Sequence, residues 1–163
     1  MYSKEYKSEM KKLFYTSFGK YMSKNKSIND TKIKWLNYKT DIKDLYFKID
    51  CNENYTKILI DIQHNDDEIR NLFFAQFLEL EKLFIKTMGE KWTWDSEYLN
   101  SYGQKSSQVS KTLKKVNIYD KKTWVSSFKF LEKRFIKIDE FWLNFYEVFK
   151  SLRAKILTDL KNS

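Results

Sequence analysis

The sequence predicts an α+β fold, from three observations. A hairpin of alternating apolar residues closes in one register near residues 43–63. An N-capped helical stretch precedes it. A long aromatic heptad stripe follows at the C-terminal side. The expected order is an N-terminal helix, an antiparallel three-strand meander, a central buried helix, two further strands, and a long C-terminal helix or helical hairpin. No Gly/Ser tract, composition break or internal repeat marks a linker, so residues 1–163 are expected to form a single domain.

The first helix is expected from Lys4 to Met22. Ser3 can cap it, and Tyr6, Met10, Leu13, Phe14, Phe18 and Tyr21 recur at helical spacing. A polar loop from Ser23 to Asp30 leads to a short strand expected near Ile33–Tyr38. The next two strands, Lys43–Asp50 and Tyr55–Gln63, read as a hairpin turning at Glu53-Asn54. That turn pairs Ile49 with Ile58, Phe47 with Ile60 and Leu45 with Ile62, all on one face. The other face then pairs Asp50 with Lys57 and Tyr46 with Asp61.

Asn65 and Glu68 have capping-box spacing, and one helix is expected from there to a stop at Gly89. Its apolar set is too broad for one stripe, which predicts burial on more than one side. Lys91 to Trp94 alternates as a short strand, and a second strand is expected around Ser107–Leu113. Asp120 should cap the final segment, whose apolar residues from Trp124 to Ile156 step alternately by four and three. One helix over 121–161 would be about 60 Å long, at 1.5 Å per residue. A domain of this size has a radius of gyration of about 15 Å. The segment should therefore turn back near Lys137–Asp139, with Asp139 capping a second helix, or pair with another chain as a homodimer through 121–161.

Composition limits the function classes. The chain has 42% hydrophobic and 18% aromatic residues, unlike a disordered segment. No apolar run approaches the roughly 20 residues of a membrane span. With one cysteine, Cys51, no intrachain disulfide can form, and a cytoplasmic location is expected. Single His and Cys residues exclude a His/Cys zinc site within the chain, and three isolated glycines exclude phosphate-binding loops. His64 reads as a structural hydrogen-bonding residue and Cys51 as a small residue beside a turn.

The net charge is +9, but only Arg70, Arg134 and Arg153 are Arg among 31 basic residues. Arg is the better indicator of phosphate or base recognition, so the charge by itself is weak evidence for nucleic acid. Residues 1–50 hold 12 Lys against 6 acids, whereas 61–90 hold 3 basic against 7 acidic residues. One acidic element thus lies inside a basic chain.

Several segments together resemble the bacterial domain-of-unknown-function family numbered 4268. They are Phe14-Tyr15-Thr16-Ser17-Phe18, Trp35-Leu36-Asn37-Tyr38-Lys39-Thr40, the aromatic hairpin, Arg70 with Phe73-Phe74, Gly89-Glu90-Lys91-Trp92-Thr93-Trp94, and Trp124. The resemblance rests on core positions over nearly the whole chain and carries no chemical signature. In longer members, similar domains follow nuclease-type domains of the PD-(D/E)XK class. The resemblance therefore implies association with DNA handling or restriction-like defence, beside a DNA-processing partner on another polypeptide.

Three functional readings stay open. Lys32, Lys34, Lys39, Lys43 and Lys48 interleave with Trp35, Tyr38 and Tyr46, residue types that contact phosphates and stack on bases. The expected function on this reading is non-catalytic nucleic-acid association, with no cofactor. In the second, the element order matches restriction-type nucleases at the level of fold. Asp44, Asp61 and Gln63 would then hold Mg²⁺ and generate an attacking hydroxide, the only case in which a metal is expected. The third is a protein-interaction or dimerisation module. No membrane partner is expected.

Overall fold

The computed structural model describes residues 2–163. Helix α1 spans Lys4–Met22, and the Ser3 side chain accepts the Tyr6 amide hydrogen as expected. Strands β1 (Leu45–Cys51) and β2 (Tyr55–Ile62) form the hairpin in the expected register: Leu45 faces Ile62, Phe47 faces Ile60, Ile49 faces Ile58, Tyr46 faces Asp61 and Asp50 faces Lys57. Strands β3 (Thr93–Leu99) and β4 (Lys105–Lys114) extend it into a four-stranded antiparallel sheet ordered β1-β2-β4-β3.

The meander predicted to open with a strand near Ile33–Tyr38 lacks that strand. Trp35–Asn37 form a single 3-10 turn instead. Its aromatic side chains are drawn into tertiary contacts instead of lying along a ladder. Trp35 Nε1 donates to the Asn25 carbonyl, and Tyr38 donates to Asp139. Asp41 and Asp44, at φ 61° and 63°, then bend the chain into β1.

The predicted central helix is two helices, α2 (Asp67–Glu79) and α3 (Glu81–Met88). The break falls at Leu80, with φ −96° and ψ 10°. Both halves pack on the C-terminal helix, and each has a further partner, the sheet for α2 and Trp92 for α3, which accounts for the broad apolar set. Phe77 lies 4.3 Å from Phe149 between ring centroids, whereas Phe84 lies 5.1 Å from Phe141 and 5.2 Å from Trp92. The cap is Asp66, not Asn65: its Oδ1 accepts from the Glu68 and Ile69 amides. Gly89 closes α3 in the left-handed conformation, φ 73°, where a side chain would be strained.

The C-terminal segment is a single helix, α4, from Trp124 to Lys161. Asp120 caps the 3-10 turn Lys121–Thr123 that leads into it. There is no turn at Lys137–Asp139. The apolar stripe runs through that point, and Asp139 makes tertiary hydrogen bonds in place of a cap. At 38 residues, α4 is about 57 Å long. As far as Phe149 it is covered because successive stretches meet different partners, whereas the residues beyond Phe149 are half-buried or exposed. Phe128 and Phe135 pack on α1, Trp142 on Phe47 of β1, and Phe141 and Phe149 on α3 and α2.

One hydrophobic cluster draws on every helix and strand. The helices pack on the sheet face formed by Leu45, Phe47, Ile58, Ile60, Ile62 and Val109, all buried. The opposite face carries Tyr46, Lys48, Lys57, Asp61 and Gln108. Leu59 is also on that face yet is 4% exposed. Flanking lysine stems of this length can cover an apolar side chain while keeping their ammonium groups in water. No described helix is long and apolar enough to cross a membrane.

Candidate functional site

The segment between α1 and β1 crosses α4 as a strap, and Asp139 anchors it. This carboxylate sits in mid-helix and is 1% exposed. It accepts from Ser27 Oγ at 2.8 Å, from the Ile28 amide at 2.8 Å and from the Tyr38 hydroxyl at 2.5 Å. Three donors on one carboxylate compensate for its loss of water. Burial, and then the hydrogen bond to Asp139, push the Tyr38 phenol well above its usual range, so it remains a donor. Trp142 Nε1 donates to the Thr40 carbonyl, fixing the far end of the strap.

Between strap and helix lies a cleft of about 500 Å³. Asp139 and Tyr38 contribute to its lining, and Lys32, Lys34 and Lys39 line it as exposed side chains. None of the three lysines makes an ion pair among the described residues. A cation without a carboxylate partner is available to an anion from solution.

The structure distributes the sequence candidates over three places. Lys32, Lys34, Tyr38 and Lys39 meet at the strap cleft. Trp35, 3% exposed, packs against Phe135 and is inaccessible to a nucleobase. Tyr46 and Lys48 stand on the open face of the sheet, with the Lys48 ammonium 5.1 Å from the Tyr46 ring centre and 3.5 Å from Asp61. Lys43 lines a different cleft, beside the C-terminal end of α4.

Asp61 and Gln63 come together: Gln63 Nε2 donates to Asp61 Oδ2 at 2.6 Å. Asp44 is joined to Gln63 through the backbone, its carbonyl accepting the Gln63 amide hydrogen at 2.7 Å. Asp44 lines the same cleft as Lys43, together with His64. Among the described residues, no group of three or more His, Cys, Asp or Glu side chains could hold a metal ion. Asp61 Oδ1 is buried and has no hydrogen-bond partner.

Asp139 was the residue that sequence reasoning placed wrongly, as a helix cap. Spacing carried no signal for this, since Lys129 and Lys150 stand equally beside the stripe residues Phe128 and Phe149 and are exposed.

A family model described as Domain of unknown function (DUF4268) matches residues 10–160. No curated protein and no solved structure matches the chain.

Proposed function

The chain belongs to the DUF4268 family, and on that premise we propose that it is a non-catalytic, nucleic-acid-associated accessory domain. It serves DNA processing of the restriction-defence kind, beside a partner on another polypeptide. The observation that carries this reading is the row of unpaired lysines, Lys32, Lys34 and Lys39, along the strap cleft. Three ammonium groups held on an anchored segment suit a phosphodiester backbone, and the net charge of +9 favours its approach. Contacts of this kind position a backbone without reading sequence. Trp35 lies in the core, so base stacking contributes little at this cleft.

The non-catalytic part rests on the carboxylates. Asp61 is engaged by Lys48 and Gln63, while Asp44 lines another cleft, and this arrangement supports binding over Mg²⁺ chemistry.

The test is fluorescence anisotropy with labelled single-stranded and duplex DNA across a salt series. Three phosphate contacts predict a slope of log affinity on log salt of about −2 for single strands and about −3 for duplex. Replacing Lys32, Lys34 and Lys39 together with Gln should flatten that slope. Binding that ignores salt, or that survives the triple substitution unchanged, rules the proposal out. Mg²⁺-dependent cleavage that disappears in both Asp61→Ala and Asp44→Ala would show instead that the domain is a nuclease.

A further inference from the structure

Beyond Phe149 the apolar row of α4 continues, but its cover does not. Leu152 and Ile156 are half-buried, and Leu157 and Leu160 are 51% and 57% exposed. Short helical stretches are marginal in water unless an apolar face is buried. Yet α4 runs on through these residues to Lys161, with a leucine ridge facing solvent.

Beside this ridge lies a hollow. A cleft of about 390 Å³ opens between the last turns of α4 and the start of α2, with Ile69, Phe73 and Ile156 as its apolar wall. Leu157 and Leu160 stand at the same cleft. Ridge and hollow therefore share one surface. In a two-fold interface a surface meets itself, so it must supply both the protruding and the receiving part.

Charge is arranged in the same self-complementary way. The start of α2 is acidic, with Asp66, Asp67 and Glu68 all exposed. The end of α4 is basic, with Lys150, Arg153, Lys155 and Lys161 against the single acid Asp159. Among the described residues, Lys150, Lys155, Lys161 and Glu68 make no ion pair within the chain. The patch as a whole holds both signs in near balance, so it selects neither an anion nor a cation. The two helices run antiparallel, since Phe149 meets Phe77 while Ile156, further along α4, shares the cleft with Ile69 and Phe73. A second copy turned by a half rotation thus brings a basic helix end to an acidic helix start, and the helix dipoles favour the same pairing.

We propose that this surface is the interface of a symmetric homodimer. Leu157 and Leu160 of each protomer enter the cleft of the other, and the basic end of each α4 lies beside the acidic start of the other protomer's α2. The two-fold axis passes close to Leu157. The strap lysines lie outside this surface, so the dimer forms without nucleic acid and does not depend on that reading.

The experiment is sedimentation equilibrium of the full chain, free of nucleic acid, over a wide concentration range. The expected result is a rise from the mass of one chain to that of two, with a midpoint below about 100 μM. Leu157→Asp and Leu160→Asp should each raise that midpoint at least about a hundredfold, because each substitution places two charges in one apolar interface. Val125→Asp, at a 61% exposed position near the other end of α4, should leave the dimer intact. Both leucines are exposed in the single chain, so thermal melts at low concentration should match wild type. A second measurement holds even if an Asp variant melts early. In a Cys51→Ala background, Leu157→Cys should join two chains by a disulfide under mild oxidation, whereas Val125→Cys should not. The proposal is overturned by a single-chain mass at every concentration, which would mean that a different partner or none covers the ridge. It is equally overturned by a dimer that both Asp variants leave unchanged, or by a disulfide at Val125→Cys and none at Leu157→Cys.

Discussion

Replacing Asp139 with Ala should detach the strap from α4. The variant leaves three donors facing a void: Ser27 Oγ, the Ile28 amide and the Tyr38 hydroxyl. Hydrogen bonds to a charged group contribute about 1.5–3 kcal/mol each. Ser27 can rotate toward another acceptor, and Tyr38, only half-buried, can reach water. The Ile28 amide cannot rotate away. Allowing for this relaxation, the loss should be about 3–5 kcal/mol, a large part of the ~5–15 kcal/mol that holds a domain together. For a chain of this size that corresponds to a fall in Tm of about 10 °C. Asp139→Asn keeps one acceptor and the shape, so it should lose only about 1–3 kcal/mol. Urea unfolding would measure both variants, and hydrogen exchange would show protection falling first at residues 27–40. In a double-mutant cycle, Tyr38→Phe and Asp139→Ala should couple by about 1 kcal/mol or more. If Asp139→Ala lies within about 1 kcal/mol of wild type and the strap keeps its protection, the anchoring role assigned to this carboxylate is wrong.

Other outcomes follow from the same structure. Phe149→Ala removes a fully buried ring between Phe77 and Trp142 and should destabilise by about 3–5 kcal/mol in chemical denaturation. Gly89→Ala should lose about 1 kcal/mol although its Cβ would meet nothing closer than Lys137 Nζ at 3.5 Å, because its φ of 73° disfavours any side chain; no change in the unfolding midpoint would contradict this. At alkaline pH, burial raises the Tyr38 phenol above its normal value and pushes the Cys51 thiol up to about 12. Both groups favour the folded state while protonated. Their stabilisation is complete below the unfolded values near 9–10 and is lost as pH climbs toward 12, so Cys51→Ala should flatten the alkaline limb of a stability profile. At acid pH the sign reverses for Glu90. Burial works against its ionised form, but the two hydrogen bonds from Arg134, at 2.8 and 2.9 Å, prevail and hold its carboxyl below the usual range. That stabilisation is present above about pH 4.5 and disappears on further acidification, and Glu90→Gln should remove the corresponding step.

Those elements whose pattern had one physical solution were legible before the structure was known. The hairpin register followed from putting Leu45, Phe47 and Ile49 on the same face as Ile58, Ile60 and Ile62, since a shift by one residue would bury Lys48 and Asp61 among helices. The Ser3 cap and the Gly89 stop were legible for similarly local reasons. The misreadings occurred where tertiary contacts outweighed local preference. Aromatic and β-branched residues at 33–38 suggested a strand, but their side chains are drawn into contacts with α4 and the strap itself. Leu80 carries no helix-breaking side chain, so nothing local announced the break between α2 and α3. For the candidate site, Lys32, Lys34 and Lys39 could be named from spacing, but not the cleft between them. The buried carboxylate beside that cleft comes from a residue a hundred positions away, and the strap's path across α4 is not written in any periodic pattern.

The reach of α4 bears on how the protein is made. It contacts α1, α2, α3, the strap and the sheet, and it comes after all of them in the chain. As the chain leaves the ribosome, Phe14, Phe18, Phe47 and Phe77 lack a large part of their packing until Phe128 through Phe149 have emerged. Domains that assemble from their N-terminal side can bury apolar surface as they are synthesised. This one must hold an aromatic-rich, half-built core open to solvent until its last helix arrives. Its most exposed moment to chaperones and to aggregation is therefore the interval before α4 is complete.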